Sequence, residues 1–472
     1  MTRYIITVTP PTPNGDLHLG HLAGPFLSAD VCRRVLLEQG HDVIMVCYSD
    51  DYQSYLPRKA GALDRNSADY AALMHRAIKL SCELAEVSFD HFPGTKDNIW
   101  FRNSVEHYLN CVEEDLSEEQ MCIPRCPKCQ KWGHEAWGRG ACNMCGASSD
   151  ASQCENCAAK PDPQKMTEMC CINCGEAMEM AHQDAMVWAL GRHFEAIAQK
   201  HATRGMRENL RTYLASWLND TKDRWQITRP GDAGLPMERY SGDPVHTWFM
   251  GLSGYRAAIQ EFLNQNPQRG SFEDWWSPHT EVVHFLGFDC SYSHAIGYAV
   301  QQHCDPNGPQ VGRFLTNHFL KLDGDDFSTS RGNAVWIKDL TGLYPIDSIR
   351  LFTLLHAPEA KSENFSLTEY KRWHHESFLP LRNIMMSESE ATDPKGSTWE
   401  DHPIIVAYRQ AAQLDSFSPR LMAEMVMEFA SEVYASLPTQ RESGYRALRE
   451  LAKPLMPTLG SMVSKDNVNE SA

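Results

Sequence analysis

Apolar and polar positions change rhythm several times along the chain. Residues 4–9, Tyr-Ile-Ile-Thr-Val-Thr, form a short run rich in β-branched side chains, the mark of a buried strand. Pro10-Pro11-Thr12-Pro13-Asn14-Gly15 ends it with a turn. Helical spacing follows over residues 18–39, stops at Gly40-His41, and gives way to a second parallel-type strand at 43–47. Strand, helix and parallel strand make one βαβ unit, the opening of a doubly wound α/β sheet. Helical patterns recur at 67–87, 95–116 and 184–225. Residues 284–302 and 313–322 read as the second half of the sheet. An all-helical tail starts at 346 and is interrupted by a polar stretch at 387–401. Over 122–181 the apolar periodicity fades while Cys, Gly, Asn and Pro rise. The expected organisation is therefore a Rossmann-like domain in two halves (1–118 and 184–335), an inserted module (119–183), a connector (336–372) and a C-terminal helical domain (373–472).

Composition narrows this picture. The 472 residues suffice for several domains, and 42% hydrophobic with 22% charged residues fits a soluble globular protein. No apolar run reaches the roughly 20 residues of a membrane span, and the start of the chain lacks the apolar core of a signal peptide. A cytoplasmic protein with no membrane partner is expected. The net charge of −17 argues mildly against an extensive phosphate-backbone interface, although a local basic patch would suffice for one.

Ten of the 16 cysteines lie between Cys122 and Cys174. Cys126-x-x-Cys129, Cys142-x-x-Cys145, Cys154-x-x-Cys157 and Cys171-x-x-Cys174 each set two thiols on one tight turn, as tetrahedral zinc requires. Eight such ligands supply two closed four-sulfur sites, structural rather than catalytic. They supply folding energy that this apolar-poor segment lacks. Spacing leaves the pairing open, and Cys170, Cys122 or His134 remain substitutes for a neighbour. Cys47 and Cys82 read as small core residues.

The segment Pro13-Asn14-Gly15-Asp16-Leu17-His18-Leu19-Gly20-His21 lies between a strand and a helix. Two histidines three apart share one helix face, where free N–H groups and the helix dipole favour a phosphate. Imidazoles there can donate to phosphate oxygens as charge builds up, and Gly20 allows adenine or ribose close to the backbone. By pattern alone, a satisfied structural pair or a metal pair fits as well.

This segment resembles the HIGH signature of class I aminoacyl-tRNA synthetases, and the residues around it resemble the methionyl enzyme. The similarity runs through nearly the whole chain. Ser49-Asp50-Asp51, Trp225-Gln-Ile-Thr-Arg229, His284-Phe-Leu-Gly287-Phe-Asp289 and Tyr344-Pro-Ile-Asp347-Ser-Ile-Arg350 all resemble family elements, as do Ala357-Pro-Glu359 and Asn364-Phe365-Ser366. The eight cysteines match the two-zinc form of the family's inserted domain. The resemblance implies a class I synthetase catalytic domain of the HUP type with a zinc-knuckle insert and a helical C-terminal domain. It implies ATP and Mg²⁺ as well as Zn²⁺. His18 and His21 would carry phosphates, helped by Asn14 and Gly20, while Gly287 and Asp289 would hold the ribose. The family's Lys-Met-Ser-Lys-Ser loop falls on Asp326-Phe327-Ser328-Thr329-Ser330, followed by Arg331. Both lysine positions have lost their charge. Losing one such contact costs about 3–4 kcal/mol of transition-state stabilisation. Ser328, Ser330, Arg331 and the nearby Lys321 are left to carry that role.

For the amino acid, the resemblance assigns the α-amino group to Asp51 and the pocket to Trp248, Gly251, Tyr255 and His294. Pro10, Thr12, Cys290, Ser293 and Tyr298 stand where the family has other residues, as does Leu252. A pocket that gives up apolar contacts and gains hydroxyls should favour a polar side chain over methionine. In the tail, Leu379-Pro380-Leu381-Arg382-Asn383 and residues 433–438 cover the family's anticodon-reading stretch without its stacking tryptophan; only Trp399 follows Trp373.

The expected function is ATP-dependent activation of an amino acid as its adenylate. Transfer would go to a small-molecule amine or hydroxyl, as in secondary metabolism such as a hydrazine-forming pathway, with a possible partner enzyme. Transfer to tRNA by a genuine methionyl-type synthetase is the alternative, favoured by the retained zinc module. A catalytically weak amino-acid- or nucleotide-binding paralogue is the third reading.

Overall fold

A computed structural model describes residues 1–231, 233–240, 242–327, 333–386 and 399–460. By contacts the chain divides into two units. One comprises Met1–Asp16, Val43–Lys79 and Phe89–Thr316; the other comprises Leu17–Asp42, Leu80–Ser88 and Asn317–Ala472.

The first unit is built on a four-stranded sheet with spatial order Arg313–Asn317, Glu281–Gly287, Arg3–Val8, Asp42–Val46. Arg3–Val8 runs parallel to Glu281–Gly287, with Tyr4 opposite Glu281 and Val8 opposite Phe285. Parallel neighbours cannot be joined by a tight hairpin, so a long excursion separates these strands in sequence, and the insertion sits within it. Strand interiors are buried, which explains their continuous apolar runs. Trp188, Trp225, Phe249, Tyr255 and Tyr298 are the large side chains of one core beside the sheet. Trp188 meets Phe249 edge-on at 5.5 Å and Trp225 stacked at 6.3 Å.

Within this unit the insertion is carried on a long antiparallel pair, Leu116–Arg125 with Glu179–Trp188. Beyond it come the short strands Gly138–Ala141, Ser148–Ser149 and Thr167–Cys171, tied into a small sheet. Apolar packing here is confined to small clusters around Cys142, Cys154 and Ala159 and around Met166 and Met169.

The second unit holds the helix that follows the first turn. The expected continuous helix over 18–39 is three pieces, Leu19–His21, Leu22–Phe26 and Leu27–Glu38. Pro25 lacks an N–H, and Gly24 adopts φ −79, ψ −125, which kinks the axis. The tail contains the helices Ile346–Leu355, Leu367–Trp373, Leu379–Met385, Pro403–Ala411, Pro419–Ala435 and Pro438–Ala452. A strand that periodicity missed, Glu363–Phe365, pairs parallel with Leu320–Leu322. Arg350 is wholly buried. It donates to Asp30 at 2.6 Å and to the carbonyls of Ala85 and Leu455 at 3.0 and 2.9 Å. Trp399 is buried too, donating to Ser443 and meeting Phe429 edge-on, so it packs the tail rather than facing outward. Arg382 and Asn383 are exposed. No helix among the described residues is long and apolar enough to cross a membrane.

Candidate functional site

The signature histidines begin the kinked helix of the second unit. The His18 backbone N–H donates to His21 Nδ1 at 3.2 Å. That bond leaves the His21 proton on Nε2, facing away from the turn. His18 Nδ1 is buried without a partner. Burial, then the His21 ring, pushes the His18 imidazole far below its ordinary range, so it is neutral. Its ring stacks on Phe327 at 5.0 Å. A Cβ on Gly20 would lie 3.0 Å from the His18 ring, so glycine at this position lets His18 keep its place. Lys321 sits on the strand Leu320–Leu322, opposite Asp326 on one side and Asn364 on the other. Ser328, Ser330 and Arg331 lie outside the described residues.

The remaining candidates lie in the first unit. The Asn14 N–H donates to the Thr12 carbonyl at 2.8 Å, and the Asn14 carbonyl accepts from Tyr70 at 3.1 Å. Pro10 is half-buried. After the strand Asp42–Val46, the two adjacent acids part company. Asp51 Oδ2 accepts from the backbone N–H groups of Thr95 and Lys96 at 2.7 and 3.0 Å, and Oδ1 accepts from Ser49 at 3.1 Å. Asp50 turns inward and accepts from Thr247 at 2.6 Å and Gln53 at 2.9 Å. Its Oδ2 lies 3.4 Å from where a Cβ on Gly251 would be. Burial pushes Asp50 up to about 7 against those hydrogen bonds.

Tyr255, His294, Ser293 and Cys290 form a closed chain. Tyr255 and His294 Nε2 are 2.9 Å apart, His294 Nδ1 and Ser293 Oγ are 3.0 Å apart, and Ser293 donates to the Cys290 carbonyl at 3.1 Å. Because Ser293 spends its proton on that carbonyl, it accepts from His294 Nδ1–H, and His294 Nε2 accepts from Tyr255. Burial lowers His294 to about 4, so it stays neutral. Tyr298 packs on Tyr255 at 5.4 Å and on His284 at 5.1 Å. The sequence-based expectation that Ser293 adds polarity for a ligand finds its hydroxyl engaged within the wall.

Polar lining comes from elsewhere. Thr12, Trp248 and Asp289 border a cavity of about 110 Å³ together with Gln53, Tyr55, Asp150, Gln153 and Glu155. The last three belong to the inserted module. Gln153 donates to Asp289 Oδ2 at 3.2 Å, and Tyr55 donates to Asp150 at 2.7 Å. Burial, then Glu155, pushes Asp289 up to about 7. Gln53 Oε1 is buried without a partner. Gly287 closes the strand before Asp289, whose Oδ1 lies 2.4 Å from a Cβ built on it, so the carboxylate folds back where only glycine leaves room. Sequence reasoning missed Asp150, Gln153 and Glu155 because they interleave with Cys154 and look like spacers between ligands. The module is clamped by a buried pair, Arg229 with Glu135 at 3.1 Å. Arg229 also donates to Ser152 at 2.8 Å, and Ser54 donates to Glu135 at 2.9 Å.

The eight thiols form two sets, Cys126, Cys129, Cys171, Cys174 and Cys142, Cys145, Cys154, Cys157. Their cross-pair sulfur separations are 3.3 to 3.9 Å, matching the ~3.8 Å edge of a tetrahedron with Zn–S of about 2.3 Å. The Lys131 N–H draws the Cys129 thiol down to about 6, as a thiolate ligand requires. His134, Cys122 and Cys170 stand outside both sets. His134 lines a separate cavity of about 230 Å³ beside Arg229 and His246.

The family described as tRNA synthetases class I (M) matches residues 4–378. A methionine–tRNA ligase of Methanobrevibacter smithii is 26% identical over 381 residues, covering 79% of this chain and 56% of its own length. One from Methanopyrus kandleri is 27% identical over 402 residues, 82% and 59% of the two chains. The chain thus spans little more than half the length of these relatives. Mycobacterium tuberculosis methionyl-tRNA synthetase bound by methionyl-adenylate superposes with TM-score 0.74 at 16% identity, over 98% of this chain and 93% of that one. With the match running from the first strand into the helical tail, this chain belongs to the class I aminoacyl-tRNA synthetases of the methionyl type.

Proposed function

We propose that this chain condenses an amino acid with ATP to form an aminoacyl-adenylate. A carboxylate oxygen of the amino acid attacks the α-phosphorus, and pyrophosphate leaves. The observation that carries this reading is the pair of signature imidazoles. His18 is neutral with an unpartnered buried nitrogen, and His21 has its proton directed to Nε2 by the backbone. Imidazoles so placed can donate to charge that develops on phosphate oxygens. His18 and His21, with Asn14, Gly20 and Lys321, are the proposed phosphate-binding residues. Gly287 and Asp289 are the proposed ribose-binding residues. Bound Mg²⁺ would neutralise triphosphate charge. Zn²⁺ in each four-thiol set would hold the module in shape. For the amino acid we propose a site around Gly251, Trp248 and Tyr255, with Asp51 or its inward-facing neighbour Asp50 receiving the ammonium group.

The relatives' names favour tRNA as acceptor. A small-molecule acceptor is the second reading, favoured by the cavity that Asp150 and Glu155 make acidic. Such a lining suits an amine better than the phosphates of an RNA end. The test is pyrophosphate exchange with each amino acid in turn, followed by charging of total tRNA. Exchange with methionine and charged tRNA establish the first reading. Exchange without charging, and AMP release driven by added amines, establish the second. No exchange with any amino acid on zinc-loaded protein refutes adenylate formation.

A further inference from the structure

A group of metal-ligating side chains lies apart from both the thiol module and the cavity just described. His107 and Cys111 stand one turn apart on the helix Ile99–Cys111, and Asp305 follows the helix Ala299–Cys304. His107 Nε2 is 3.0 Å from Asp305 Oδ2 and 3.6 Å from Cys111 Sγ, and the three ligand atoms all lie within 4.8 Å of one another. A tetrahedral zinc with one nitrogen, one oxygen and one sulfur ligand has edges of roughly 3.3–3.6 Å. The three atoms therefore need only a small adjustment to surround an ion.

Two features favour a metal over the other uses of such a triplet. First, sulfur and carboxylate converge on the same ring nitrogen. A thiol–imidazole–carboxylate relay needs them on opposite nitrogens, so this arrangement does not serve a nucleophile. Secondly, the carboxylate is held from behind. Trp276 Nε1 donates to Asp305 Oδ2 at 3.0 Å, and the Asn307 N–H donates to Oδ1 at 3.2 Å. A Cβ on Gly308 would lie 2.6 Å from Oδ2, so the glycine makes room for that carboxylate. Partners of this kind orient the ligands of metal sites. The Asp305 side chain is 1% exposed and that of His107 28%. This leaves one open side for ion entry and for water as a fourth ligand. The neighbouring set Asp115, His193 and Cys304 is different. Cys304 Sγ is 3.8 and 4.0 Å from the two His193 nitrogens and so lies on neither lone pair, and Asp115 is also paired with Arg192.

We propose that His107, Cys111 and Asp305 bind a divalent transition cation of the zinc class, separate from the two thiol sites. The ion would pin the helix Ile99–Cys111 to the segment after Ala299–Cys304. The test is zinc content per chain by mass spectrometry of full-length protein equilibrated with Zn²⁺ and desalted, for wild type, Cys111→Ser and His107→Gln. The wild type is expected to carry about three ions and each variant about two, with unchanged far-ultraviolet circular dichroism. Cobalt loaded into the wild-type site should give a charge-transfer band weaker than that of four-thiolate sites. Should both variants fail to fold, the zinc content of the wild type decides, about three ions supporting the site and about two refuting it. Wild type that stops at about two ions in excess Zn²⁺ overturns the proposal, as does a third ion retained in both variants.

Discussion

Replacing Arg229 with methionine removes the clamp between the inserted module and the rest of its unit. The Arg229–Glu135 pair is 3.1 Å apart with side chains 9% and 3% exposed. At an effective dielectric of ~20 its Coulomb attraction is about 5 kcal/mol. Much of that offsets the desolvation of both ions, but the variant leaves Glu135 buried with no cation facing it. Breaking one side of such a pair costs about 3–5 kcal/mol. We expect about 4 kcal/mol for R229M, a fall in Tm of roughly 4–7 °C. The pH dependence follows from Glu135, which burial already pushes above its ordinary 4.5 while Arg229 pulls it down. Without Arg229 its folded-state pKa rises further. A carboxyl raised on folding helps stability most below its unfolded pKa, and that help is lost as pH rises through the folded value. R229M should therefore be closer to wild type at pH 5 than at pH 8. Adding Glu135→Gln removes the stranded charge and should recover more than half of the loss. Thermal and urea unfolding of the four proteins at both pH values measure this cycle. If R229M costs under about 1 kcal/mol, or the double variant is no better than the single, the clamp argument is wrong.

Gly20→Ala should displace His18, because its methyl group would sit 3.0 Å from that ring. Pyrophosphate exchange should fall by about tenfold or more in kcat, with little change in Tm. With Asp289 pushed up to about 7, its carboxylate forms only as pH rises through that value. The KM for ATP should drop across pH 6–8 in wild type, and Asp289→Asn should flatten that limb. Chelation that strips the eight thiols should abolish exchange and expose the module to protease before the sheet. Gly254→Ala should lose about 3 kcal/mol or more, since its methyl group would fall within the Tyr48 ring, and thermal unfolding reads that loss.

Much of this architecture was legible because its signals are local. The β-branched run at 4–8, the turn after Pro10 and the four Cys-x-x-Cys spacings each encode structure within a few residues. The His18–His21 segment, a turn leading into a helix, was legible for the same reason. Which thiols share a site was not legible, since the first pair joins the last across the whole module. The roles of Asp50 and Asp51 were obscured because the two sit side by side in the turn after a strand yet reach different partners. Only the tertiary partners Thr95 and Thr247 reveal which one is tied to the backbone. The kink at Gly24-Pro25 was visible as letters, yet helical periodicity on both sides masked it.

Because Asp150, Gln153 and Glu155 hang between the thiols of one set, part of that cavity's polar wall is not carried by the parent sheet. It can be rewritten by drift in a spacer that lies outside the packing of the sheet. The same arrangement makes the shape of that wall contingent on metal supply. Without an ion in the thiol sets, an intact sheet would stand beside a cavity that has lost one side.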